Sequence, residues 1–306
     1  MSLPATRHTL LLGKARDARR LVVQAVHRAK AGHLGGPLSA ADVLAVLYFH
    51  EMNVVPEKPD WENRDRFVLS KGHSALGLYA TLALRGYFPI SEMATFDRID
   101  SRLQGHPDLT RLPGLDMSTG SLGQGLSAGV GMALGAKLLR KDFRTYVMVG
   151  DGECQEGQIW EAAQVAARYG LDNLVAILDY NRLQQYGWRI DDRQHAPIDE
   201  PAAKWRAFGW YVVETDGHDI PSLCEAFDQA KYSVGRPVMI VAHTVKGKGV
   251  SFMENDPEWH AKTLSDEQLA HALEDIGSDL MLEPDPGLPP YQGHFAMPEI
   301  PPALRW

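Results

Sequence analysis

Acidic and amide side chains follow two neighbouring apolar runs of the chain. Residues 150–157 read GDGECQEG directly after the run TYVMV, and Asn181 follows the next run, 30 residues beyond Asp151 (181 − 151 = 30). Because parallel strands joined by a helix end at the same edge of a sheet, we expect Asp151 and Asn181 to lie close together. Their oxygens suit Mg²⁺ or Ca²⁺, and Mg²⁺ commonly completes its coordination with phosphate oxygens. A cation held here would let the acidic turn bind a diphosphate, although the spacing alone is explained equally well if Asp151 caps the next helix.

The elements that must position these residues alternate between helices and strands. The predicted strands are near-continuous apolar runs, typical of strands covered on both faces: RFVLSKGH, TYVMVG, LVAILDYN, WYVVET and PVMIVAHT. We therefore predict an α/β fold, a doubly wound, mainly parallel sheet with helices on both faces. The segment Ser39-Ala-Ala-Asp42 is predicted to be a capping box that opens a helix running to Met52.

A further predicted helix, after Gly123, contains two glycine pairs spaced four residues apart, Gly125/Gly129 and Gly131/Gly135. Glycine inside a helix costs about 1 kcal/mol relative to alanine, so something must offset it. We expect another helix or a ligand to approach this backbone closely. Enlarging Gly129 is accordingly predicted to weaken assembly with other chains before it disturbs the sheet.

The composition excludes several classes of protein. The 306 residues carry a net charge of −8 without a dense basic cluster, which argues against nucleic acid as the main partner. No stretch approaches the roughly 18 uncharged apolar residues of a membrane span. The two cysteines are too few for a disulfide framework. We expect a soluble cytoplasmic protein, with one domain over residues 1–282 and a proline-rich tail over residues 283–306.

Several segments resemble the transketolase family of thiamine-diphosphate enzymes. The GDG motif followed about thirty residues later by Asn is similar to the family's cofactor fingerprint, and other matching segments occur in the family's order: AGHLGGPLSAAD, NRDRFVLSKGH, QGHPD, STGSLGQG and NDPEWHAKTLSDEQ. The resemblance covers residues 10–275, which correspond to the first of three domains in a full-length transketolase. It implies the fold of the diphosphate-binding domain. The chain thus resembles the N-terminal subunit of a split, two-subunit transketolase.

The resemblance implies which residues hold the cofactor, thiamine diphosphate, and its metal. Asp151, Asn181 and the carbonyl oxygen of Leu183 fall on the family's Mg²⁺ ligands. Gly152 and Asn181 fall on its diphosphate contacts. The backbone of Gly120, Ser121 and Leu122 falls on the segment beside the aminopyrimidine ring.

The resemblance also implies roles for four histidines and one acid: His33 and His106 at substrate hydroxyls, His73 at the cofactor, His260 at both, and Glu156 against the partner subunit's catalytic glutamate. Imidazole has an unperturbed pKa of about 6.5, so it can donate or accept a proton when alkoxides form and collapse. Positioned acid–base groups typically contribute about 10²- to 10⁴-fold to rate. The other histidines, including His218, are interpreted as surface or satisfied core residues.

Two parts of the family's machinery are absent from the sequence. The glutamate that activates the aminopyrimidine and the main substrate-phosphate arginines belong to the second domain of the family. We therefore expect the chain to be inactive alone and to need a C-terminal transketolase subunit with a pyrimidine-binding domain. Two copies of each of the two chains are expected, acting on sugars or sugar phosphates.

Departures from the family pattern leave other functions open. After Asn181 the family reads like Leu-x-Ile-Asp-Gly, whereas this chain reads Leu183-Gln-Gln-Tyr-Gly187 followed by Trp188, and Ser121 replaces a common proline. Gln185 is expected where the family has an apolar contact near the thiazolium ring. One alternative is another thiamine enzyme, such as a deoxyxylulose-phosphate synthase or the decarboxylating subunit of a 2-oxo-acid dehydrogenase. Another is a non-catalytic cofactor-binding assembly subunit.

Overall fold

The computed structural model describes residues 3–185, 188–190 and 193–282, with the backbone alone for residues 188–190 and 193–195. Two of the sequence-based expectations lie outside the described residues: the tail predicted over residues 283–306 and the departure at Tyr186.

The core of the protein is a five-stranded, all-parallel sheet in the order β1-β2-β3-β7-β6. Its strands are β1 (Arg66–Leu69), β2 (Thr145–Gly150), β3 (Leu174–Tyr180), β6 (Tyr211–Asp216) and β7 (Val238–His243). The central strands are buried along almost their whole length, as their continuous apolar sequences predicted. Strands β4 (Trp188–Ile190) and β5 (Arg193–His195) form a separate antiparallel pair. The predicted parallel α/β sheet is confirmed.

Helices cover both faces of the sheet. The eight α-helices of the described residues are α1 (Ala5–Ala29), α2 (Gly35–Val46), α3 (Ala75–Arg85), α4 (Gln124–Leu138), α5 (Gly157–Arg168), α6 (Pro201–Ala207), α7 (Ile220–Lys231) and α8 (Asp266–Ile276). One apolar core lies under α1, α2, α3, α7 and α8. The other lies under α4, α5 and α6. Side chains along β2 alternate between the two cores, with Tyr146 and Met148 in the first and Val147 and Val149 in the second.

The capping box predicted at Ser39 is wrong. Helix α2 already begins at Gly35, is buried throughout, and passes into a π-helical turn, Leu47–Glu51. The Ser39 hydroxyl lies inside the helix, where it donates to the Asp179 carboxylate at 2.6 Å and to the Gly36 carbonyl at 3.0 Å. The polar residue therefore serves a buried network under the sheet edge rather than a helix end.

The two glycine pairs of α4 have different surroundings. A side chain at Gly125 would meet Ser70 at 2.5 Å, and one at Gly129 would collide with Val147 of β2. The prediction for Gly129 is therefore wrong, because this glycine lets the helix lie directly against the sheet. Gly131 and Gly135 have open space in front of them. The close approach expected for the glycines of α4 is therefore found only at Gly125 and Gly129, and residues of the same chain make it.

Among the described residues, strand β6 forms one edge of the sheet, and its exposed residues carry charge. Glu214 and Asp216 are exposed on this strand, whereas Val213 and Thr215 are buried. At the opposite edge, β1 is only four residues long. Across the part of the chain that the structure describes, no helix combines the length and apolar character needed to cross a membrane.

Candidate functional site

A cavity of about 520 Å³ lies at the carboxyl ends of β1, β2, β3 and β7. Parallel strands bind ligands at this end, because the loops that follow them converge there. The lining residues follow the ends of four strands or belong to the first turn of α2, the loops before α2 and α4, and the turn Pro257–His260. They are His33, Gly36, Lys71, His73, Gly120, Leu122, Gly150, Asp151, Gly152, Glu153, Gln155, Glu156, Asn181, Leu183, Gln184, Gln185, Lys246 and His260. Ten of the twelve residues predicted for the site are therefore brought together here.

Asp151 begins the turn after β2 and is almost fully buried, with 2% of its surface exposed. Its two carboxylate oxygens accept backbone N–H groups, Oδ1 from Gly152 at 2.8 Å and Oδ2 from Arg182 at 2.5 Å. Burial and the nearby charge of Asp179 raise the pKa of Asp151 to about 7, although the two N–H donors oppose this shift. A cation against these oxygens would favour the ionised form of the carboxyl.

Asn181 and Leu183 follow β3 and face the same space as Asp151. The Asn181 Oδ1 accepts the Leu183 N–H at 3.1 Å, and its Nδ2 donates to Asp179 at 3.3 Å. Arg182, between them, has a left-handed backbone conformation with φ of 66°. This conformation is uncommon for a residue with a side chain, and it turns the Arg182 N–H toward Asp151.

Two buried lysines bring positive charge to the cavity. The Lys71 ammonium pairs with Asp179, which also accepts the hydroxyls of Ser39 and Thr244. The Lys246 ammonium donates to the Leu183 carbonyl at 3.1 Å and lies 2.8 Å from His260 Nδ1. Burial lowers the pKa of Lys246 to about 8. Neither lysine was predicted from the sequence, although each follows a strand end, the same signal that identified Asp151 and Asn181.

Three histidines form one cluster at the mouth of the cavity. The ring centroids of His33, His73 and His260 are 5.0 to 5.2 Å apart. Burial, reinforced by the charge of Lys71, lowers the pKa of His73 to about 2. Burial and the charge of Lys246 lower the pKa of His260 to about 3. The pKa of His33 is also lowered, mainly by burial. All three rings therefore have a reduced affinity for protons in the folded chain. The cluster is therefore a set of neutral imidazoles near neutral pH.

The loop before α4 lies directly against the turn after β1. A side chain at Gly72 would come within 2.7 Å of the Gly120 backbone nitrogen, and Gly123 has a φ of 88° that favours glycine. The buried Glu153 carboxylate ties these parts together, accepting the Ser70 hydroxyl at 2.5 Å, the Gly123 N–H at 2.8 Å and the Gly150 N–H at 3.0 Å. Glu153 is a further residue that the sequence analysis missed, and its burial carries no signal in the sequence.

Two predicted site residues lie outside the cavity lining. His106 is exposed and packs its ring over Gly120, where a side chain would meet it at 3.3 Å. Ser121 is exposed on the same loop, whose neighbours Gly120 and Leu122 do line the cavity. Glu156 and Gln185 are exposed lining residues at the rim. The structure thus places the residues predicted for the diphosphate deep in the cavity and those predicted for partner and substrate near solvent.

The donor set fits a divalent cation that shares its coordination with a ligand. Among the described residues there is no group of three or more His, Cys, Asp or Glu side chains arranged to hold a metal ion. What the ends of β2 and β3 offer instead is the Asp151 carboxylate, the Asn181 amide oxygen and the Leu183 carbonyl oxygen, which are hard ligands suited to Mg²⁺ or Ca²⁺ when phosphate oxygens supply the rest. The side-chain-free Gly152, where a Cβ would meet Gln184 at 3.2 Å, leaves its backbone open to such a ligand.

Comparison with known proteins agrees with this arrangement. Residues 13–283 match the family model described as "Transketolase, thiamine diphosphate binding domain". The chain is 44% identical over 263 residues to a 6-deoxy-6-sulfo-D-fructose transketolase subunit from Clostridium sp. (strain MSTE9), covering 86% of this chain and 94% of that protein. It is 43% identical over 268 residues to one subunit of the apulose-4-phosphate transketolase from Phocaeicola vulgatus, covering 88% and 94%.

The fold is also similar to that of complete transketolases. A transketolase structure from Leishmania mexicana superimposes with a TM-score of 0.82 at 32% sequence identity, over 88% of this chain. The match spans only 41% of that longer chain.

Proposed function

The chain belongs to the transketolase family, whose thiamine-diphosphate-binding domain it carries, and we propose that it is the cofactor- and Mg²⁺-binding subunit of a two-component transketolase. The proposed reaction transfers a two-carbon ketol unit from a ketose to an aldose. The observation that carries the proposal is the joint placement of Asp151, Asn181 and the histidine cluster around one cavity. Two relatives that match over nearly their full length are themselves named as transketolase subunits.

The deep part of the cavity is proposed to hold the metal and the diphosphate. Asp151, Asn181 and the Leu183 carbonyl would supply Mg²⁺ ligands, and the Gly152 backbone would contact a phosphate oxygen. The buried Lys246 ammonium adds positive charge at the Leu183 carbonyl, where an anionic ligand would otherwise meet only acid and amide oxygens. This combination would let an acidic turn accept an anion.

The upper part of the cavity is proposed to manage protons on the substrate. When bound, thiamine diphosphate supplies the carbon nucleophile that breaks the C–C bond of the sugar. His33, His106 and His260 would donate to and accept from sugar hydroxyls, and His73 would contact the cofactor. Because the pKa values of His33, His73 and His260 are lowered, the three rings are neutral near neutral pH, and each offers one donor and one acceptor nitrogen to a hydroxyl.

The catalytic centre is proposed to be completed by another polypeptide. The family's activating glutamate belongs to its second domain, whereas residues 13–283 match the thiamine-diphosphate-binding domain. Glu156 lies exposed at the rim, where a partner's carboxyl could reach it. Helix α4 presents Gly131 and Gly135 outward next to the exposed Leu138 and Leu139. We propose that this face receives other chains in a heterotetramer, with two copies of this chain and two of a C-terminal transketolase subunit. Obligate interfaces of this kind bury about 2,000 Å² or more.

The substrate is proposed to be a ketose whose distal anionic group is bound by the partner. The two named relatives act on a sulfonated and a phosphorylated sugar, so a charged end is expected here too. Among the described lining residues, the lysines are Lys71 and Lys246, and both ammonium groups are bonded inward. Both cysteines are free and buried, which agrees with a reducing compartment, and we infer the cytoplasm.

The test is reconstitution. The purified chain should bind thiamine diphosphate weakly in the presence of Mg²⁺ and show no ketol transfer, and addition of a C-terminal transketolase subunit should restore turnover. Robust transketolase activity from this chain alone would contradict the split-enzyme proposal, and pyruvate decarboxylation by the mixture would favour the alternative thiamine enzymes.

The glycine helix provides a matched pair of variants for the assembly. Gly131→Leu should weaken association of this chain with the other chains of the heterotetramer, measured by analytical ultracentrifugation. The unfolding midpoint of the lone chain should stay unchanged, because the space in front of Gly131 is open. Gly129→Leu should destabilise the lone chain itself, because Val147 occupies that space. Unchanged association in Gly131→Leu would remove α4 from the proposed interface.

A further inference from the structure

His218 lies at the start of the segment before α7, outside the cavity, and both of its ring nitrogens have partners. The Nδ1 atom is 2.7 Å from the Asp42 carboxylate, and the Nε2 atom accepts the backbone N–H of Val245 at 2.8 Å. A nitrogen that accepts from an N–H carries no proton, so the neutral ring holds its proton on Nδ1, directed at Asp42. The side chain is 13% exposed. Both partners therefore fix one orientation and one tautomer.

Asp42 is itself held by a buried cation. The Arg19 guanidinium donates to both Asp42 carboxylate oxygens, and its Nε also donates to the Leu38 carbonyl at 3.1 Å. Burial alone would raise the pKa of Asp42, but the charge of Arg19 and the hydrogen bond from His218 lower it below its ordinary value. The carboxylate is thus a charged, immobile acceptor. Through its bonds to Arg19 of α1 and to His218, it fixes the imidazole relative to helices α1 and α2.

The far end of this chain of contacts is the segment that carries Lys246 into the cavity. On one side of Val245, the Thr244 N–H donates to the Tyr180 carbonyl at 3.2 Å. On the other side, the Lys246 ammonium reaches the Leu183 carbonyl and His260. The backbone N–H of Val245 itself is bonded by His218 rather than by the sheet. Moving this amide would move the lysine that touches a proposed metal ligand and a proposed substrate ligand.

We propose that His218 is a positioning residue that holds the Val245–Lys246 segment, and through it the Lys246 ammonium, in the geometry needed to bind the cofactor. The inference rests on the proposed function for its consequence in binding. The restraint of the Val245 amide by the imidazole depends only on hydrogen bonds within the chain. His218 touches neither the cavity nor any residue assigned to substrate, so its effect acts entirely through Lys246.

Two substitutions separate the two bonds of the imidazole. In His218→Gln the amide oxygen reaches the place of Nε2 and can still accept the Val245 N–H. In His218→Asn the shorter amide reaches only the place of Nδ1, so it keeps a donor for Asp42 and leaves the Val245 N–H without an acceptor. A buried donor left without its partner destabilises the arrangement that buries it. The Asn variant is therefore the disruptive one, although it is the closer match at Asp42.

Hydrogen–deuterium exchange of the lone chain tests the restraint directly. The Val245 amide should be protected in the wild type, remain protected in His218→Gln, and exchange about tenfold or more faster in His218→Asn. Peptides from β2 and β3 report whether each variant is folded. A Val245 amide unprotected in the wild type, or equal exchange in the two variants, would overturn the inference without requiring any cofactor.

Calorimetric titration with thiamine diphosphate at saturating Mg²⁺ tests the consequence. His218→Asn should weaken affinity about tenfold, His218→Gln should change it less than about threefold, and the exposed His50→Asn should be neutral. In a Lys246→Met background, His218→Asn should cause no further loss, because the two residues act as one unit. Additive losses would show that His218 acts elsewhere. A wild type without cofactor affinity would contradict the proposed function, and the exchange measurement would still decide the restraint.

Discussion

The two walls of the cavity handle charge in opposite ways. On the acid wall, at the ends of β2 and β3, the oxygens of Asp151 meet only backbone N–H donors, and burial raises the pKa of this carboxyl to about 7. On the histidine wall, three imidazoles lie beside one another, and burial together with two ammonium groups lowers their pKa values. The acid wall would gain from a cation, whereas the histidine wall excludes added positive charge. Binding and proton transfer are therefore separable by mutation.

The largest expected effect is on the acid wall. Asp151→Ala should abolish Mg²⁺-dependent binding of thiamine diphosphate, a loss beyond about 100-fold, because it removes the one carboxylate among the proposed metal ligands. Calorimetry on the chain with its partner measures this affinity, and circular dichroism should show an unchanged fold. Asp100→Ala, at an exposed carboxylate, is the control. Retained affinity in Asp151→Ala would remove this residue from the metal site.

The second effect belongs to the histidine wall and should appear in turnover rather than in cofactor affinity. His33→Ala and His106→Ala should each lower kcat of the assembled enzyme about 10- to 10³-fold, through lost acid–base and electrostatic contributions. Cofactor affinity should change little in both variants, in contrast to Asp151→Ala. His50→Ala, at an exposed position, serves as the control. Wild-type turnover in both variants would return these histidines to a purely structural interpretation.

A third effect concerns stability at acid pH. His73 has a pKa of about 2 in the folded chain but about 6.5 when unfolded, so the unfolded chain gains a proton that the folded chain refuses. The wild type should therefore lose stability as the pH falls below about 6.5, and His73→Gln should reduce that loss by about 1 to 2 kcal/mol at pH 5. Urea unfolding of the lone chain at pH 7 and pH 5 measures the difference. An equal loss in His73→Gln would show that this ring is protonated in the fold.

The smallest effect tests the residue that joins the two walls. Lys246→Met should raise the pKa of His260, because burial of the ring and the lysine charge together lower that pKa. Titration of the imidazole resonances by NMR measures the shift. Since burial, the larger cause, remains in the variant, the pKa should stay below the ordinary value of histidine. An unchanged pKa of His260 would mean that the Lys246 ammonium lies farther than 2.8 Å from His260 Nδ1 in solution.

The five strands and the acid wall were predictable because they depend on short-range patterns. Continuous apolar runs identified the five strands, and strand ends located Asp151 and Asn181. The same reasoning did not identify Lys71 and Lys246, because a lysine after a strand is ordinarily a surface residue until the fold shows both to be 2% exposed. Burial of a charge depends on contacts across the whole sheet, which no local pattern contains.

The errors on the helices have a related cause. Ser39 followed by Asp42 has the local composition of a helix start, but the helix begins four residues earlier, where Gly35 and Gly36 approach Lys246 and Ser74. Spacing alone gave Gly129 and Gly131 the same interpretation, since it cannot distinguish the side of α4 that faces the sheet from the side that faces solvent. Tertiary packing determines where α2 begins and which side of α4 faces the sheet.

The charged edge strand has a consequence for the behaviour of the protein at high concentration. A free sheet edge exposes unpaired backbone groups on which a strand from another molecule can add, the first step toward fibrous aggregates. In an edge-to-edge antiparallel pair of two β6 strands centred on Thr215, Glu214 of each strand would lie opposite Asp216 of the other, which places like charges side by side. The repulsion between these acids disfavours pairing of two copies of the chain through β6. Neutralising both acids should therefore promote aggregation through this edge.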